Sequence, residues 1–266
     1  MYKSFYSLAD NPFAKEIKTE NLFPSGCFKE VSARIDYLKK TKGMGVIVGE
    51  PGSGKTSTLR AMANKLNPSL FKVIYFPLST GTVMDFYRGL AAGLGEEPAF
   101  RKVDLFKQIQ HAITKLSNDK KITPVFILDE IHLAANKFLN DLGILFNFSM
   151  DSENPFVLIL AGLPFFMDKL SLNQNQSLNQ RVIMRYHLKP LSKDEVNEYI
   201  EHQLQLAGAS HSIFSPQAIE AICLRSRGLP RLINNLAVNS LLLGCQLKAD
   251  TINEEIVFKA CEEIGL

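Results

Sequence analysis

Apolar residues up to residue 188 occur mainly in short runs that are separated by amphipathic stretches. A run of about four to eight apolar, often β-branched residues is typical of a buried strand. The five predicted strands are residues 45–48, 72–76, 125–128, 156–161 and 182–188. Because helical patterns separate them, the alternation predicts a parallel sheet with helices on both faces.

The pattern changes after Pro190, where apolar positions recur at helical spacing and no strand-like run appears. The predicted helices are residues 193–206, 216–226, 230–243 and 253–264. We therefore predict three parts. They are an N-terminal arm over residues 1–26, an α/β domain over 27–190 and a small all-helical domain over 191–266.

The loop after the first predicted strand has the pattern G-x-x-x-x-G-K-[ST] and leads into a helix. Its residues and the following serine are Gly49, Glu50, Pro51, Gly52, Ser53, Gly54, Lys55, Thr56 and Ser57. In such a loop, backbone N–H groups and the helix N-terminus bind phosphate oxygens. The sequence predicts a nucleoside triphosphate site, with Lys55 at the terminal phosphates and Thr56 as a Mg²⁺ ligand.

The third predicted strand ends in two carboxylates, Asp129 and Glu130. Nucleotide hydrolysis needs an acidic residue beside Mg²⁺, which suits Asp129, and a second carboxylate that polarises the attacking water, which suits Glu130. Residues 129–132 are also similar to the Asp-Glu-x-His box of helicases. That alternative is rejected because the chain is too short for two such domains, and His132 is interpreted as a helix N-terminal residue. A helix over residues 133–150 is predicted to follow.

The sequence contains no apolar run long enough to span a bilayer and no signal-peptide pattern at its start. The four cysteines lie far apart, without zinc or disulfide spacing. These features predict a cytoplasmic protein without a membrane partner.

The distribution of charge is uneven along the chain. Residues 1–121 contain 19 Lys and Arg against 11 Asp and Glu, whereas residues 122–266 contain 11 against 16. Such asymmetry suits a protein with one side facing a polyanion, although solvated helix faces would give the same counts.

Three short segments resemble the bacterial ExeA-like ATPases, a group of AAA+ proteins. They are Phe5–Leu8 with Asn11-Pro12-Phe13, residues 188–192 with Tyr199-Ile200, and Gly-Leu-Pro-Arg-Leu-Ile-Asn-Asn at 228–235. The resemblance covers essentially the whole chain and implies a five-stranded AAA+ domain followed by a helical lid. It also implies ATP and Mg²⁺ as cofactors and an ATP-dependent homo-oligomer.

The resemblance implies further site residues. Arg231 matches the lid arginine that touches the γ-phosphate in the same subunit. Arg181 matches the arginine finger that acts on a neighbour's nucleotide, with Arg185 as the competing choice. Asn11, Pro12 and Phe13 would lie near the adenine.

Leu163 departs from the family pattern. Related ATPases often have Gln at this position, where a polar side chain orients the attacking water. Leucine cannot hydrogen-bond water or phosphate, so we expect slow hydrolysis with ATP acting mainly as an assembly switch.

Two functions from different classes fit this resemblance. The first is a regulator of DNA transposition, of the TnsC and MuB type, that forms rings or helical filaments on duplex DNA. It would select the target and recruit a transposase, with a target-selector protein as a further candidate partner. The candidate DNA contacts are Lys39, Lys40, Lys42, Thr80, Thr82, Arg101, Lys102 and Lys107.

The second function is a secretion-system assembly ATPase of the GspA/ExeA type. The resemblance implies that such proteins carry a transmembrane helix and a peptidoglycan-binding region, which this sequence lacks. A generic nucleotide switch or kinase is disfavoured because Gly-Leu-Pro-Arg is a lid motif and no acceptor-substrate motif is present.

Overall fold

The strands form one five-stranded parallel sheet in a computed structural model that describes residues 2–14, 17–77 and 82–265. They are β1 (Gly43–Gly49), β2 (Phe71–Pro77), β3 (Thr123–Asp129), β4 (Val157–Gly162) and β5 (Val182–Leu188). The strand order is β2-β3-β4-β1-β5, and each neighbouring pair is parallel. The predicted parallel sheet and its five strands are confirmed.

Helices connect the strands and make up most of the chain after residue 188. The helices up to β5 are α1 (Tyr2–Phe5), α2 (Gly26–Thr41), α3 (Lys55–Lys65), α4 (Val83–Leu94), α5 (Lys102–Thr114), α6 (Asn136–Leu145), α7 (Phe166–Ser171) and α8 (Gln176–Arg181). After β5 come α9 (Lys193–Leu206), α10 (Pro216–Ser226), α11 (Pro230–Gln246) and α12 (Glu254–Ile264).

The chain divides into two compact units. The α/β unit contains Glu30–Gly49 and Lys55–Leu188, and therefore the whole sheet. The helical unit contains Met1–Lys29, Glu50–Gly54 and Lys189–Leu266. The phosphate-loop sequence is thus divided, with residues 50–54 grouped with the helical unit.

The core of the α/β unit lies on both faces of the sheet. Strands β1 and β4 are buried along their whole length, as is β3 after its first residue. Buried parallel strands need apolar side chains on both faces, which explains their continuous apolar runs. By contrast, β2 lies at the edge of the sheet and exposes Tyr75 and Pro77.

The N-terminal segment packs into the helical unit instead of extending away from it. Tyr6, Leu8 and Phe13 are buried with side chains of α9, α10, α11 and α12. The Tyr6 hydroxyl donates to the backbone oxygen of Ala249 at 2.9 Å. The turn-forming residues of this segment therefore place a few apolar anchors into a core that is formed by distant helices.

None of the helices within the described residues is both long enough and apolar enough to cross a membrane.

Candidate active site

Parallel strands place their carboxyl ends at one edge of the sheet, and ligands of such folds bind outside that edge. Strands β1, β3 and β4 end here at Gly49, Asp129 and Gly162. The residues that follow them include Lys55, Thr56, Glu130 and Leu163. The fold therefore gathers the predicted catalytic segments of the α/β unit at this edge.

Thr56 and Asp129 meet directly, although 73 positions separate them. The Thr56 hydroxyl donates to Asp129 Oδ2 at 2.8 Å. Lys55, the first residue of α3, is 6% exposed, and its ammonium group donates to the Gly49 backbone oxygen at 2.7 Å. The lysine side chain is therefore folded over the start of its own loop.

Asp129 accepts hydrogen bonds at both carboxylate oxygens and is 2% exposed. The Glu130 backbone N–H donates to Oδ1 at 2.9 Å, and the Tyr75 hydroxyl donates to Oδ2 at 3.1 Å. Although Tyr75 is 49% exposed, its partial burial, the adjacent Asp129 and the nearby Glu130 raise its pKa to about 12. Tyr75 was not found by sequence reasoning, since a tyrosine in a predicted strand carries no motif.

Asp129 and Thr56 have the chemistry of a Mg²⁺ site. Mg²⁺ prefers hard oxygen ligands and is usually held by one or two protein groups together with water and phosphate oxygens. The described residues contain no group of three or more His, Cys, Asp or Glu side chains that could hold a metal ion. A nucleotide-dependent Mg²⁺ site does not need such a group, so these two residues fit the ion.

Glu130 has a left-handed backbone conformation, with φ of 57° and ψ of 31°. This conformation costs a non-glycine residue about 1–2 kcal/mol. Its side chain is 47% exposed, and Oε2 lies 3.4 Å from His132 Nδ1. Backbone strain of this kind is typical of functional sites, and here it occurs at the residue predicted to act on the attacking water.

Leu163 directly follows β4 and is half-buried. Its side chain offers no polar atom, but its backbone N–H donates to His132 Nδ1 at 3.4 Å. His132 lies in a 3₁₀ turn, Ile131–Leu133, and not at the start of a long helix as expected.

The middle of the phosphate loop, Glu50–Gly54, belongs to the helical unit. Gly52 and Gly54 have φ of 82° and 93°, which favours glycine. The Arg231 backbone N–H donates to the Gly52 oxygen at 3.3 Å, and its side chain is exposed. Ser53 is 7% exposed, and its hydroxyl has no hydrogen-bond partner among the described residues. An orphaned hydroxyl in this loop fits a ligand with acceptor oxygens.

The two candidate arginine fingers are both engaged within the α/β unit. Arg181 is half-buried and donates to the Gly143 oxygen in α6. Arg185 is exposed on β5 and donates to the backbone oxygen and Oδ1 of Asn179 at 2.6 and 2.9 Å.

Of the predicted adenine-contacting residues, Asn11 is exposed, whereas Pro12 and Phe13 are buried. Asn11 Oδ1 accepts the Phe13 N–H at 3.1 Å. The Phe13 ring packs edge-to-face on the ring of Phe214, with 6.5 Å between the ring centroids.

The candidate DNA contacts do not form one patch. Lys42 donates to Ser117 just beyond the end of α5, whereas Arg101 and Lys102 lie at its start. The 13 residues of α5 separate these two groups by roughly 20 Å.

Two of these lysines have acidic partners. Lys39 pairs with Asp36 at 2.5 Å, and Lys102 pairs with Asp141 at 2.7 Å. Thr82 caps α4 through a capping box. Lys40, Arg101 and Lys107 are exposed, and Thr80 lies outside the described residues.

The fold and the site define a P-loop nucleotide-binding protein of the α/β class. A family model described as "AAA domain" matches residues 38–170, half of the chain. The chain therefore belongs to the AAA domain family and is an AAA+ ATPase.

Two curated relatives match this chain. General secretion pathway protein A of Aeromonas hydrophila is 30% identical over 247 residues, covering 91% of this chain and 44% of that protein. Lon protease of Finegoldia magna is 31% identical over 149 residues, covering 50% of this chain and 18% of that protein. The chain thus spans less than half the length of either relative.

Solved structures support the fold. Cdc6p from Pyrobaculum aerophilum matches with a TM-score of 0.72 at 15% identity, over 97% of this chain and 72% of that one. The Aeropyrum pernix ORC1 protein in complex with DNA gives 0.66 at 14% identity, over 95% and 68%. The Thermotoga maritima RuvB Holliday junction branch migration motor gives 0.62 at 21% identity, over 96% and 73%.

Proposed function

We propose that this chain binds ATP with Mg²⁺ and hydrolyses it slowly, so that bound ATP acts as a switch for assembly. The observation that carries the proposal is the 2.8 Å hydrogen bond from the Thr56 hydroxyl to Asp129 Oδ2. It joins the phosphate loop to the acidic end of β3 through two oxygen groups that suit Mg²⁺.

Each residue has a distinct role in this proposal. Mg²⁺, when bound, offsets negative charge on the phosphates. The Lys55 ammonium adds positive charge at the terminal phosphates, and the Glu130 carboxylate orients the attacking water and accepts its proton. The Arg231 guanidinium pairs with the terminal phosphate. This role is supported by the hydrogen bond from the Arg231 backbone N–H to the Gly52 oxygen, which holds Arg231 beside the phosphate loop.

Slow turnover is proposed because the side chain of Leu163 cannot hydrogen-bond water. We expect turnover below about 1 s⁻¹ in the absence of DNA. Rapid DNA-independent turnover would contradict the assembly-switch role.

Two substitutions test the nucleotide roles. Lys55→Ala should abolish binding of a fluorescent ATP analogue, because it removes the charge at the terminal phosphates. Glu130→Gln should keep binding but stop phosphate release. Normal turnover in Glu130→Gln would refute its role toward water, and unchanged nucleotide affinity in Lys55→Ala would refute the phosphate site.

The proposed oligomer places an arginine of one subunit at its neighbour's nucleotide. Arg181→Ala subunits mixed with Glu130→Gln subunits should regain hydrolysis, because each supplies what the other lacks. A mixture of Arg185→Ala and Glu130→Gln subunits tests the competing arginine. Recovery of hydrolysis in this mixture and not in the first would assign the finger to Arg185. Failure of both mixtures would argue against a site that is completed by a neighbour.

As the cellular role, we propose regulation of DNA transposition in the cytoplasm. ATP-bound oligomers on duplex DNA would present themselves to a transposase. The positive balance of residues 1–121 supports a polyanion partner. The ion pairs of Lys39 and Lys102 reduce the charge available for it, so Lys40, Arg101 and Lys107 are the contacts to test first.

A second role, assembly of a secretion system, is favoured by one specific observation. The Aeromonas relative named General secretion pathway protein A aligns over 91% of this chain. This role needs no contact with DNA.

DNA binding separates the two roles. Random-sequence duplex DNA, mixed with the protein and a non-hydrolysable ATP analogue, should yield rings or helical filaments whose affinity falls steeply with salt. If the protein binds no DNA at low salt in any nucleotide state, the transposition role fails and the secretion role remains.

A further inference from the structure

The ring of His132 lies between two parts of the candidate active site in the α/β unit. Its Nδ1 atom is 3.4 Å from Glu130 Oε2, and the Leu163 backbone N–H points at the same Nδ1 from 3.4 Å. The His132 side chain is only 8% exposed, whereas that of Glu130 is 47% exposed. A ring nitrogen of a nearly buried side chain therefore faces both the candidate base and the end of β4.

The surroundings of the ring keep it in this place. The Phe165 ring packs against it edge-to-face at 5.3 Å. A Cβ atom at Gly162 would lie 3.2 Å from the His132 backbone N and 3.4 Å from Nδ1, so the end of β4 closely approaches the ring. The Lys169 ammonium donates to the backbone oxygens of His132 and Ala134 and so fixes the turn that carries the ring.

The two polar contacts of Nδ1 are alternatives. An imidazole nitrogen carries either a lone pair or a proton. With a lone pair, Nδ1 accepts from Leu163 and cannot donate to Glu130. With a proton, Nδ1 donates to Glu130, and the Leu163 N–H then faces another N–H group.

We propose that His132 is a positioning residue for Glu130. Its Nδ1–H fixes the half-exposed carboxylate for its role toward the attacking water, and the Leu163 N–H competes for the same nitrogen. The position of the β4 end thus controls whether Glu130 is held. The inference rests on the proposed role of Glu130 in hydrolysis.

The kinetic test compares His132→Phe with His132→Asn in the full chain. Phe keeps a ring that packs on Phe165 but has no polar atom, whereas an Asn amide presents a donor or an acceptor near the position of Nδ1. Misplacing a catalytic group lowers the rate steeply, so we expect kcat of the Phe variant to be at least about fivefold below that of the Asn variant.

Affinity for a fluorescent ATP analogue should be equal in both variants and the wild type, which separates positioning from loss of the fold. A smaller difference in kcat, or an equal loss in both variants, would overturn the proposal.

A second measurement does not depend on turnover. The chain contains five histidines, and the ¹⁵N signals of the His132 ring can be assigned by their loss in His132→Asn. In Glu130→Ala, the Nδ1 signal should move toward that of a nitrogen carrying a lone pair, because only the Leu163 contact remains. An unchanged signal would overturn the contact between His132 and Glu130.

The two measurements also separate this inference from the proposed function. If wild-type turnover does not exceed that of Lys55→Ala, the hydrolytic role fails, and the ¹⁵N measurement alone decides whether His132 holds Glu130.

Discussion

The carboxylate of Asp129 is held by three groups of its own chain: the Thr56 hydroxyl, the Tyr75 hydroxyl and the Glu130 N–H. Hydrogen bonds of this kind orient a carboxylate before a metal ion arrives. Of the three, the phenol of Tyr75 can be removed without changing the phosphate loop or the backbone.

Tyr75→Phe should therefore lower the affinity for Mg²⁺, so that a higher Mg²⁺ concentration is needed to support ATP binding. Loss of a group that orients a metal ligand costs about tenfold in metal affinity, and ATP binding without Mg²⁺ should stay unchanged. Titration of Mg²⁺ against a fluorescent ATP analogue measures both. Tyr37→Phe, at an exposed tyrosine of α2, is the control. An identical Mg²⁺ dependence in Tyr75→Phe and the control would contradict this role.

Gly52 and Gly54 offer a second comparison at the scale of one residue. Both have positive φ, but a Cβ atom at Gly52 would lie 2.8 Å from Arg231 Cβ, whereas one at Gly54 meets nothing within 4 Å. The left-handed conformation costs each alanine variant about 1–2 kcal/mol. Gly52→Ala should lose more stability and nucleotide affinity than Gly54→Ala, because it also displaces Arg231. Equal losses of stability in urea unfolding would show that the contact with Arg231 has no effect.

Among the elements, the start of α9 joins two distant segments of the helical unit. Ser192 and Glu195 form a capping box, and Glu195 Oε1 also accepts the Gly26 N–H at 2.8 Å. Burial alone would raise the pKa of Glu195. The backbone N–H groups of Ser192 and Gly26, the Ser192 hydroxyl and the nearby Lys29 outweigh it and lower the pKa.

Glu195→Ala should reduce the free energy of unfolding by about 1 kcal/mol at pH 7, because it removes the carboxylate that accepts the Ser192 and Gly26 N–H groups. A lowered pKa means that the charged form stabilises the fold above the unfolded value of about 4.3 and loses this effect as the pH falls through the folded value. The difference between wild type and variant should therefore shrink in acid. Urea unfolding of both proteins at pH 7 and at an acidic pH below about 4.3 measures this difference.

Glu198→Ala, at an exposed position of the same helix, is the control. A Glu195→Ala effect that is the same at both pH values would contradict the charge-dependent part of this prediction.

The five predicted strands are confirmed, because each depends on a local run of apolar residues, whereas one helix prediction is wrong. The helix expected over residues 133–150 is in fact a 3₁₀ turn, the shorter α6 and a second 3₁₀ turn. The helix α6 already ends at Leu145, and Phe148 has extended backbone angles, φ of −112° and ψ of 142°, which an α-helix cannot contain. Apolar spacing alone does not reveal such a break.

In the molecule as a whole, four tyrosines have a strongly raised pKa. Burial is the main cause that raises the pKa of Tyr6, Tyr75, Tyr87 and Tyr199 to about 12. Because an unfolded tyrosine ionises near pH 10, stability should be intact below that pH and fall as the pH rises from about 10 to 12.

As the pH is raised, absorbance at 295 nm from ionised tyrosine should therefore increase in two phases. The chain has seven tyrosines and no tryptophan, so this band reports tyrosine alone. The later phase should coincide with loss of the circular dichroism signal, and Tyr75→Phe should reduce its amplitude. Ionisation of all seven tyrosines in one step near pH 10, with the fold intact, would contradict the prediction.

The sequence by itself determined the sheet, the phosphate loop and the acidic end of β3. These features depend on periodicity and on spacing over a few residues, and both can be read directly from the amino-acid sequence. Only the tertiary structure decided that Tyr75 bonds Asp129, that His132 faces both Glu130 and Leu163, and that Phe13 is buried. Such contacts join residues through packing and strand order, and no local pattern encodes which distant side chain fills a given space.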